Sequence, residues 1–107
     1  MGAQWNDGRR FEGRVALVTG GGGTLGGAVA RGFGLEGAAV AIGYRSSRSQ
    51  AAEVVAELEG RGGQAHCAPL DVTDQDLVDA FVADVVERYG RLDVLVNAAA
   101  ASTRRTR

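Results

Sequence analysis

The chain has 107 residues, a length that allows one domain at most. Hydrophobic residues make up 45% and charged residues 23% of it, the balance of a globular rather than a disordered protein. The formal net charge of -1 provides no general surface for nucleic acid, and no stretch approaches the ~20 apolar residues of a membrane span. The lone Cys67 cannot form an intrachain disulfide framework. We therefore expect a cytoplasmic protein that binds neither nucleic acid nor membrane.

The basic residues and the glycines are both unusual. All 12 basic residues are arginine, so chemistry that needs a lysine amine is excluded within this sequence. Of the 17 glycines, ten lie between Gly13 and Gly37, which predicts a backbone that must come close to another group. The polar residues 1–13, which include Trp5, are expected to form an N-terminal arm.

Four apolar segments alternate with three helical patterns along the chain. The apolar segments span residues 15–18, 39–42, 65–70 and 92–96. They are continuous rather than alternating, as in strands that are buried on both faces of a parallel sheet. The predicted apolar face of the first helix comprises Leu25, Ala28, Val29, Gly32 and Phe33, and that of the second helix comprises Ala51, Val54, Val55 and Leu58.

The third helix has clear ends and a broad apolar face. Thr73 and Asp76 have the spacing of a capping box, and Gly90 stands where a helix commonly ends. The apolar face comprises Leu77, Val78, Phe81, Val82, Val85, Val86 and Tyr89. This face is broader than one contact with a sheet requires. We therefore expect self-association through this helix and the exposed edge of the sheet.

The order β-α-β-α-β-α-β with short connections predicts an α/β fold. Its sheet is doubly wound and parallel, but incomplete, with about four strands and three helices. The domain covers residues 14–100, and the polar, basic residues 101–107 are expected to be a disordered tail. His66 and Cys67 are adjacent in the third strand and point to opposite faces, which favours packing over a shared metal ligand.

The turn after the first strand carries the clearest chemical signal. Gly21, Gly23 and Gly26 satisfy the G-x-G-x-x-G pattern between a buried strand and a helix. Glycines let a phosphate approach the backbone, and the positive end of the helix attracts the anion. A nucleotide triphosphatase loop is excluded because it needs a lysine. The alternative is a glycine-rich turn that binds nothing.

From residue 14 to 100 the chain resembles the short-chain dehydrogenase/reductase family. The resemblance is carried by VALVTGGGGTLGGAVA, by DVTD at residues 71–74 and by GRLDVLVNAAA at residues 90–100. Thr24 stands where one form of the family's glycine pattern has a glycine. The resemblance implies a Rossmann-like domain and hydride transfer between a nicotinamide cofactor and a carbonyl or alcohol substrate. The family's catalytic serine and Tyr-x-x-x-Lys motif do not occur in this sequence.

The resemblance also implies which residues bind the cofactor. These are Gly20, Gly21, Gly23, Thr24, Leu25 and Gly26 in the turn, Tyr44, Arg45 and Ser46 after the second strand, Asp71 and Val72 at the adenine, and Asn97, Ala98 and Ala99 at the end of the fourth strand. For Asp71 and Asn97 the alternative roles are a turn residue and a polar strand end.

The residues after the second strand bear on the choice of cofactor. A site that prefers NAD(H) places an acid there to bind the ribose hydroxyls, but this sequence has Tyr44 followed by Arg45 and Ser46. An arginine there neutralises a 2′-phosphate. The sequence therefore favours NADP(H) over NAD(H); the alternative is that Arg45 is a solvated loop charge.

Three functions are consistent with the sequence. The first is the NADP(H)-binding portion of a short-chain oxidoreductase that is inactive alone, and whose substrate contacts would lie in a longer relative. The second is a non-catalytic dinucleotide-binding regulatory module. The third is a non-functional gene remnant, suggested by the abrupt change to STRRTR at the end.

Overall fold

The computed structural model describes residues 10–20 and 22–98. Strands and helices alternate in the predicted order: β1 (Val15–Thr19), α1 (Thr24–Leu35), β2 (Ala39–Tyr44), α2 (Arg48–Gly60), β3 (Ala65–Pro69), α3 (Gln75–Tyr89) and β4 (Val94–Asn97). The sheet order is β3-β2-β1-β4, and every neighbouring pair is parallel. The predicted Rossmann-like α/β fold is therefore confirmed.

Of the four strands predicted to be buried on both faces, only the two central ones are: β3 is mostly half-buried, and in β4 half-buried and exposed residues alternate. Every residue of β1 is buried, and so are all residues of β2 except its last, Tyr44, which is half-buried. In the register, Thr19 of β1 lies beside both Gly43 of β2 and Asn97 of β4. The carboxyl ends of these three strands therefore meet at one edge of the sheet.

Helices cover both faces of the sheet. On the first face α1 and α2 pack over a core that comprises Val18, Ala30, Ala38, Val40, Ile42, Ala51, Val54, Leu58, Ala65 and Ala98. On the second face α3 packs over Val15, Leu17, Ala39, Ala41 and Leu70 through its own Phe81 and Val85. The alternate residues of each central strand thus belong to opposite cores, as a sheet buried on both faces requires.

The face predicted for α1 is partly wrong. Leu25 is 53% exposed, and Ala28 and Gly32 are exposed as well. The buried residues are instead Gly26, Gly27 and Ala30, while Val29 and Phe33 are partly buried. Small residues face the sheet because they let the helix axis approach it closely, and the larger Leu25 lies in the first turn, beside a cavity described below.

The N-terminal end of α3 is capped by a different residue than predicted. The N-cap is Asp74, whose Oδ1 accepts a hydrogen bond from the backbone N–H of Leu77 at 3.2 Å. Thr73 is not the cap, because its hydroxyl donates to Asp71 instead. The C-terminal prediction is confirmed, since Gly90 adopts the left-handed conformation with a φ of 88°.

The last residues of the predicted N-terminal arm pack against the domain. The ring centroids of Phe11 and Phe33 lie 5.0 Å apart in an edge-to-face arrangement. The backbone N–H of Phe11 donates to the carbonyl of Glu36 at 2.7 Å. The rest of the predicted arm and the predicted tail lie outside the described residues. None of the described helices is long and apolar enough to cross a membrane.

Two neighbouring valines of α3 show which side of the helix packs against the sheet. Val85 is fully buried at 0% exposure, whereas Val86 is 42% exposed. We expect Val85→Ala to lower the free energy of unfolding by about 2 to 3 kcal/mol, because it removes buried methyl groups and leaves a cavity. Val86→Ala, the same change one position along, should cost less than about 1 kcal/mol. Urea denaturation of both variants measures the difference, and equal losses would contradict this packing.

Candidate functional site

One hydrogen bond joins the ends of the two central strands. The backbone N–H of Gly20, immediately after β1, donates to the carbonyl of Gly43 in β2 at 2.7 Å. Gly20 has a φ of 74°, a conformation that residues with a Cβ rarely adopt. The chain therefore turns sharply out of β1 while still attached to β2.

The turn after β1 lies directly against the loop after β2. A Cβ on Gly22 would lie 2.5 Å from the backbone oxygen of Ser47 and 2.7 Å from its Cβ. Gly22 is buried. Only a glycine allows this close approach, so Gly22 brings the turn and the loop together as two walls of one site.

Helix α1 begins at this site without a side-chain cap. Its N-cap is Gly23, which makes no side-chain capping bond, and the first turn contains no acidic residue. The N–H groups of a first helical turn have no partner within the helix, and they carry the positive end of the helix dipole. The start of α1 is therefore suited to bind an anion.

These elements surround a cavity of about 330 Å³. Its lining comprises Gly20, Gly22, Gly23, Thr24, Leu25, Gly26, Tyr44, Arg45, Ser46, Ser47 and Ala98. The structure thus brings together most of the residues singled out in the sequence. Gly22 and Ser47 were missed: within a run of four glycines the spacing cannot show which one approaches another segment, and the contact between Gly22 and Ser47 joins residues 25 positions apart. Gly21 lies outside the described residues.

Asp71 and Val72 follow β3 and do not line this cavity. Both the backbone N–H and the hydroxyl of Thr73 donate to Oδ1 of Asp71, at 2.9 and 2.6 Å. These hydrogen bonds hold the pKa of the Asp71 carboxyl below its ordinary value, and the positive charge of Arg45 lowers it further. Val72 is 39% exposed. Asp71 is therefore an ionised carboxylate whose position is fixed by its hydrogen bonds with Thr73.

The end of β4 is fastened to β1. The hydroxyl of Thr19, which is 5% exposed, donates to Oδ1 of Asn97 at 2.7 Å. This bond fixes the Asn97 side chain at the carboxyl edge of the sheet. The next residue, Ala98, is buried and lines the cavity. Ala99 lies outside the described residues.

His66 and Cys67 point to opposite faces of the sheet, as predicted. The Nδ1 atom of His66 lies 2.9 Å from the hydroxyl of Tyr89 on the α3 side, whereas Cys67 packs into the core on the α1 and α2 side. Burial raises the pKa of the Cys67 thiol, and the charge of Arg48 opposes this effect. Within residues 10–20 and 22–98, no group of three His, Cys, Asp or Glu side chains is arranged to hold a metal ion.

The fold and the cavity together define a class of protein. A glycine turn between a central parallel strand and a helix, at the carboxyl edge of the sheet, is the arrangement of dinucleotide-binding domains. The family model for short chain dehydrogenases matches residues 14–107. The chain belongs to this family.

Known relatives and solved structures agree with this assignment. Versicolorin reductase stcU of Emericella nidulans is 40% identical over 90 residues, which cover 84% of this chain and 34% of the relative. A short chain dehydrogenase from Burkholderia cenocepacia, solved in complex with NADP, superposes with a TM-score of 0.80 at 42% identity, over 83% of this chain and 36% of that one. The chain thus spans about a third of their length.

A shorter relative is also similar. The short-chain dehydrogenase/reductase homolog YusS of Bacillus subtilis is 38% identical over 84 residues. The match covers 78% of this chain and 77% of YusS.

His66 makes the stability of the fold depend on pH. Burial lowers its pKa, the charge of Arg88 lowers it further, and Asp84 raises it in part. His66 is therefore neutral at pH 7, and the 3.6 Å contact between its Nε2 and Asp84 is not an ion pair at that pH. Since the unfolded chain binds the proton more readily, stability is complete above pH ~6.5 and falls as the pH drops from there towards the lower pKa of the folded state.

Urea denaturation at pH 7.5 and 5.5 measures this dependence. We expect the free energy of unfolding to decrease between these two values, and to decrease less in His66→Gln, which does not titrate. The same decrease in both proteins would show that other groups are responsible.

Proposed function

We propose that this chain is the NADP(H)-binding portion of a short-chain dehydrogenase/reductase. The observation that carries the proposal is the position of Arg45, which lines the same cavity as the glycine turn, at the end of β2. In this family of folds the pyrophosphate lies at the start of the first helix, and the adenosine ribose reaches the end of the second strand. A 2′-phosphate on that ribose would therefore meet Arg45.

The glycine-turn wall of the cavity has the features that binding a pyrophosphate requires. The glycines leave no Cβ between the start of α1 and a pyrophosphate, and the N-cap Gly23 leaves the helix end open. Thr24 adds a hydroxyl and Leu25 an apolar side chain to the same wall. We therefore assign pyrophosphate binding to Gly20, Gly21, Gly23, Thr24, Leu25 and Gly26, with Gly22 setting the distance to the opposite wall.

The end of β2 supports a preference for NADP(H). No carboxylate lines the cavity within the described residues, so the acid that would bind the two ribose hydroxyls of NAD(H) is replaced by Tyr44. Arg45, Ser46 and Ser47 offer a guanidinium and two hydroxyls to a 2′-phosphate. Charge-assisted hydrogen bonds of this kind contribute about 1.5 to 3 kcal/mol each.

The other assigned residues complete the cofactor contacts. Asp71 and Val72 would contact the adenine, and Asn97, Ala98 and Ala99 would lie beside the far half of the cofactor, where Thr19 orients Asn97. When bound, the nicotinamide donates or accepts the hydride in exchange with a carbonyl or alcohol substrate. The sequence has no lysine and therefore no Tyr-x-x-x-Lys motif, so we propose that the chain binds cofactor without turning over substrate by itself.

Replacing Arg45 tests the assignment. We expect Arg45→Ala to weaken NADPH binding by about 10- to 100-fold, because a charge-assisted contact to the 2′-phosphate is lost, and to change NADH binding little. Fluorescence titration with both cofactors measures the ratio. Arg61→Ala, which removes the same charge at the C-terminal end of α2, is the control and should leave the ratio unchanged. An unchanged ratio in Arg45→Ala would overturn the preference for NADP(H).

A non-catalytic dinucleotide-binding module is the second candidate. It is supported by YusS, because the match covers similar shares of both chains. The same titration separates the two candidates: micromolar or tighter NADPH binding by the 107-residue chain favours a module that works at this length, whereas weak binding favours a portion of a longer enzyme. In either case we place the protein in the cytoplasm.

We also propose that two copies associate through β4 and the adjacent flank of α3. Within the described residues β4 is an end strand of the sheet, so one row of its backbone groups faces outward. Leu95 of β4 is 53% exposed and Val86 of α3 is 42% exposed. A second β4 would pair with this edge and cover the apolar side chains.

Sedimentation velocity tests the association. We expect a dimer that dissociates in Leu95→Glu, because the added charge lies at the pairing edge. Leu35→Glu changes a similarly exposed leucine at the end of α1 and should remain a dimer. If the unmodified chain sediments as a monomer, or if both variants dissociate alike, the proposed surface is wrong.

A further inference from the structure

We propose that Gly22 is a positioning residue for the choice between NADP(H) and NAD(H). Because it has no side chain, the loop that carries Arg45 packs directly on the glycine turn, at the distance where Arg45 meets the 2′-phosphate. This inference rests on the proposed function, since it assumes that Arg45 binds that phosphate. A single methyl group on an uncharged residue should therefore change the preference for one cofactor over the other.

The backbone of the loop leaves no room for a side chain on Gly22. A Cβ there would lie 2.5 Å from the carbonyl oxygen of Ser47, 2.7 Å from its Cβ and 3.3 Å from the backbone nitrogen of Ala51. The same carbonyl accepts a hydrogen bond from the N–H of Ala51 at 2.9 Å, at the start of α2. Two of the three atoms belong to the backbone, so rotation of a side chain cannot relieve the contact. An added methyl group therefore displaces backbone.

The glycine turn is anchored at both ends. The N–H of Gly20 donates to the carbonyl of Gly43 at 2.7 Å, which ties the beginning of the turn to β2. Beyond the turn, Gly26 and Gly27 of α1 are buried. Moving the turn would disturb both the pairing of the central strands and the packing of α1. The turn therefore stays in place when a methyl group is added to Gly22.

The loop after β2 is the part that yields. Before the loop, Tyr44 is held in the sheet, where its carbonyl accepts from the N–H of Leu70 at 2.7 Å. Behind the loop, Ala51 of α2 is fully buried in the core. Residues 45–46 lie between these two points and are exposed, so little buried surface opposes their displacement. A methyl group on Gly22 therefore moves this loop away from the glycine turn.

The displacement affects the two cofactors differently. The 2′-phosphate occurs only in NADP(H), and its charge-assisted hydrogen bonds require the guanidinium of Arg45 at a short distance and a suitable angle. The pyrophosphate is common to NADPH and NADH and binds at the turn, which stays in place. The ratio of NADPH to NADH affinity therefore falls, although no charge has been changed.

The first test is this ratio in Gly22→Ala, measured by fluorescence titration. We expect it to fall about three- to tenfold, a part of the loss expected for Arg45→Ala. Gly32→Ala is the control, because it adds the same methyl group to α1 at a position where the Cβ meets open space. A ratio in Gly22→Ala equal to that in Gly32→Ala would refute the inference, whatever affinity is lost for both cofactors in common.

A measurement without cofactor tests the displacement separately. Trypsin cleaves after arginine, and a bond in a displaced loop is cut faster. We expect cleavage after Arg45 to accelerate in Gly22→Ala but not in Gly32→Ala, while cleavage after Arg61, at the far end of α2, keeps its rate. Mass spectrometry of the fragments gives both rates. An unchanged rate after Arg45 would contradict the displacement, and equal acceleration at both arginines would show that Gly22→Ala has lost the fold.

Two variants of Ser47 decide the question if Gly22→Ala does not fold. Ser47→Ala and Ser47→Gly both remove the hydroxyl, which makes no capping bond to α2, but only Ser47→Gly removes the Cβ that lies against Gly22. We expect the ratio to be about twofold lower in Ser47→Gly than in Ser47→Ala, because the loop is then held less firmly against the turn. Equal ratios would refute the inference.

The outcomes separate this inference from the proposed function. If Arg45→Ala lowers the ratio while Gly22→Ala leaves it unchanged, the proposed function stands and the role of Gly22 is refuted. If Arg45→Ala leaves the ratio unchanged, the preference for NADP(H) fails, and the rate of cleavage after Arg45 still shows whether Gly22 positions the loop.

Discussion

The hydrogen bond between Gly20 and Gly43 is the constraint on which the candidate site depends. It joins β1 and β2 at the point where β1 ends, so the glycine turn starts at a fixed distance from the loop after β2. The contact of Gly22 with Ser47 continues this attachment beyond the sheet. As a result the start of α1 and Arg45 line one cavity, although the rest of α1 and all of β2 separate them in the sequence.

The packing of the sheet keeps this edge in place. β4 is fastened to β1 near both ends: Oδ2 of Asp93 accepts from the N–H of Val15 at 2.9 Å, and Thr19 donates to Asn97 at 2.7 Å. Arg91 pairs with Asp93 and holds the pKa of its carboxyl below the ordinary value, and the bond from Val15 has the same effect. The strand ends at the site are therefore held by hydrogen bonds from β1 to β2 and from β1 to β4. This gives the rigidity that a preformed cofactor site requires.

The sequence predicted the elements better than it predicted their contacts. Continuous apolar runs identified all four strands, but the reason, that a strand buried on both faces has no polar side, holds only for β1 and β2. In α1 the periodicity indicated a face with Leu25, but the helix turns Gly26, Gly27 and Ala30 inward. The periodicity argument assigns the most hydrophobic residues to the buried face of a helix. A helix that packs closely on a sheet instead buries its smallest residues. The cap of α3 was also assigned from a local pattern, to Thr73. The hydroxyl of Thr73 instead donates to Asp71, and Asp74 caps the helix.

The sequence by itself determined the order of the elements, the parallel sheet, the glycine turn and the family, since each of these is recorded in local patterns of residues. Only the tertiary structure decided which glycine approaches Ser47, that His66 is half-buried and neutral, and that the hydroxyl of Thr19 reaches Asn97. These are contacts between segments far apart in the chain. They depend on the register of β1, β2 and β4 and on burial, which no window of the sequence contains.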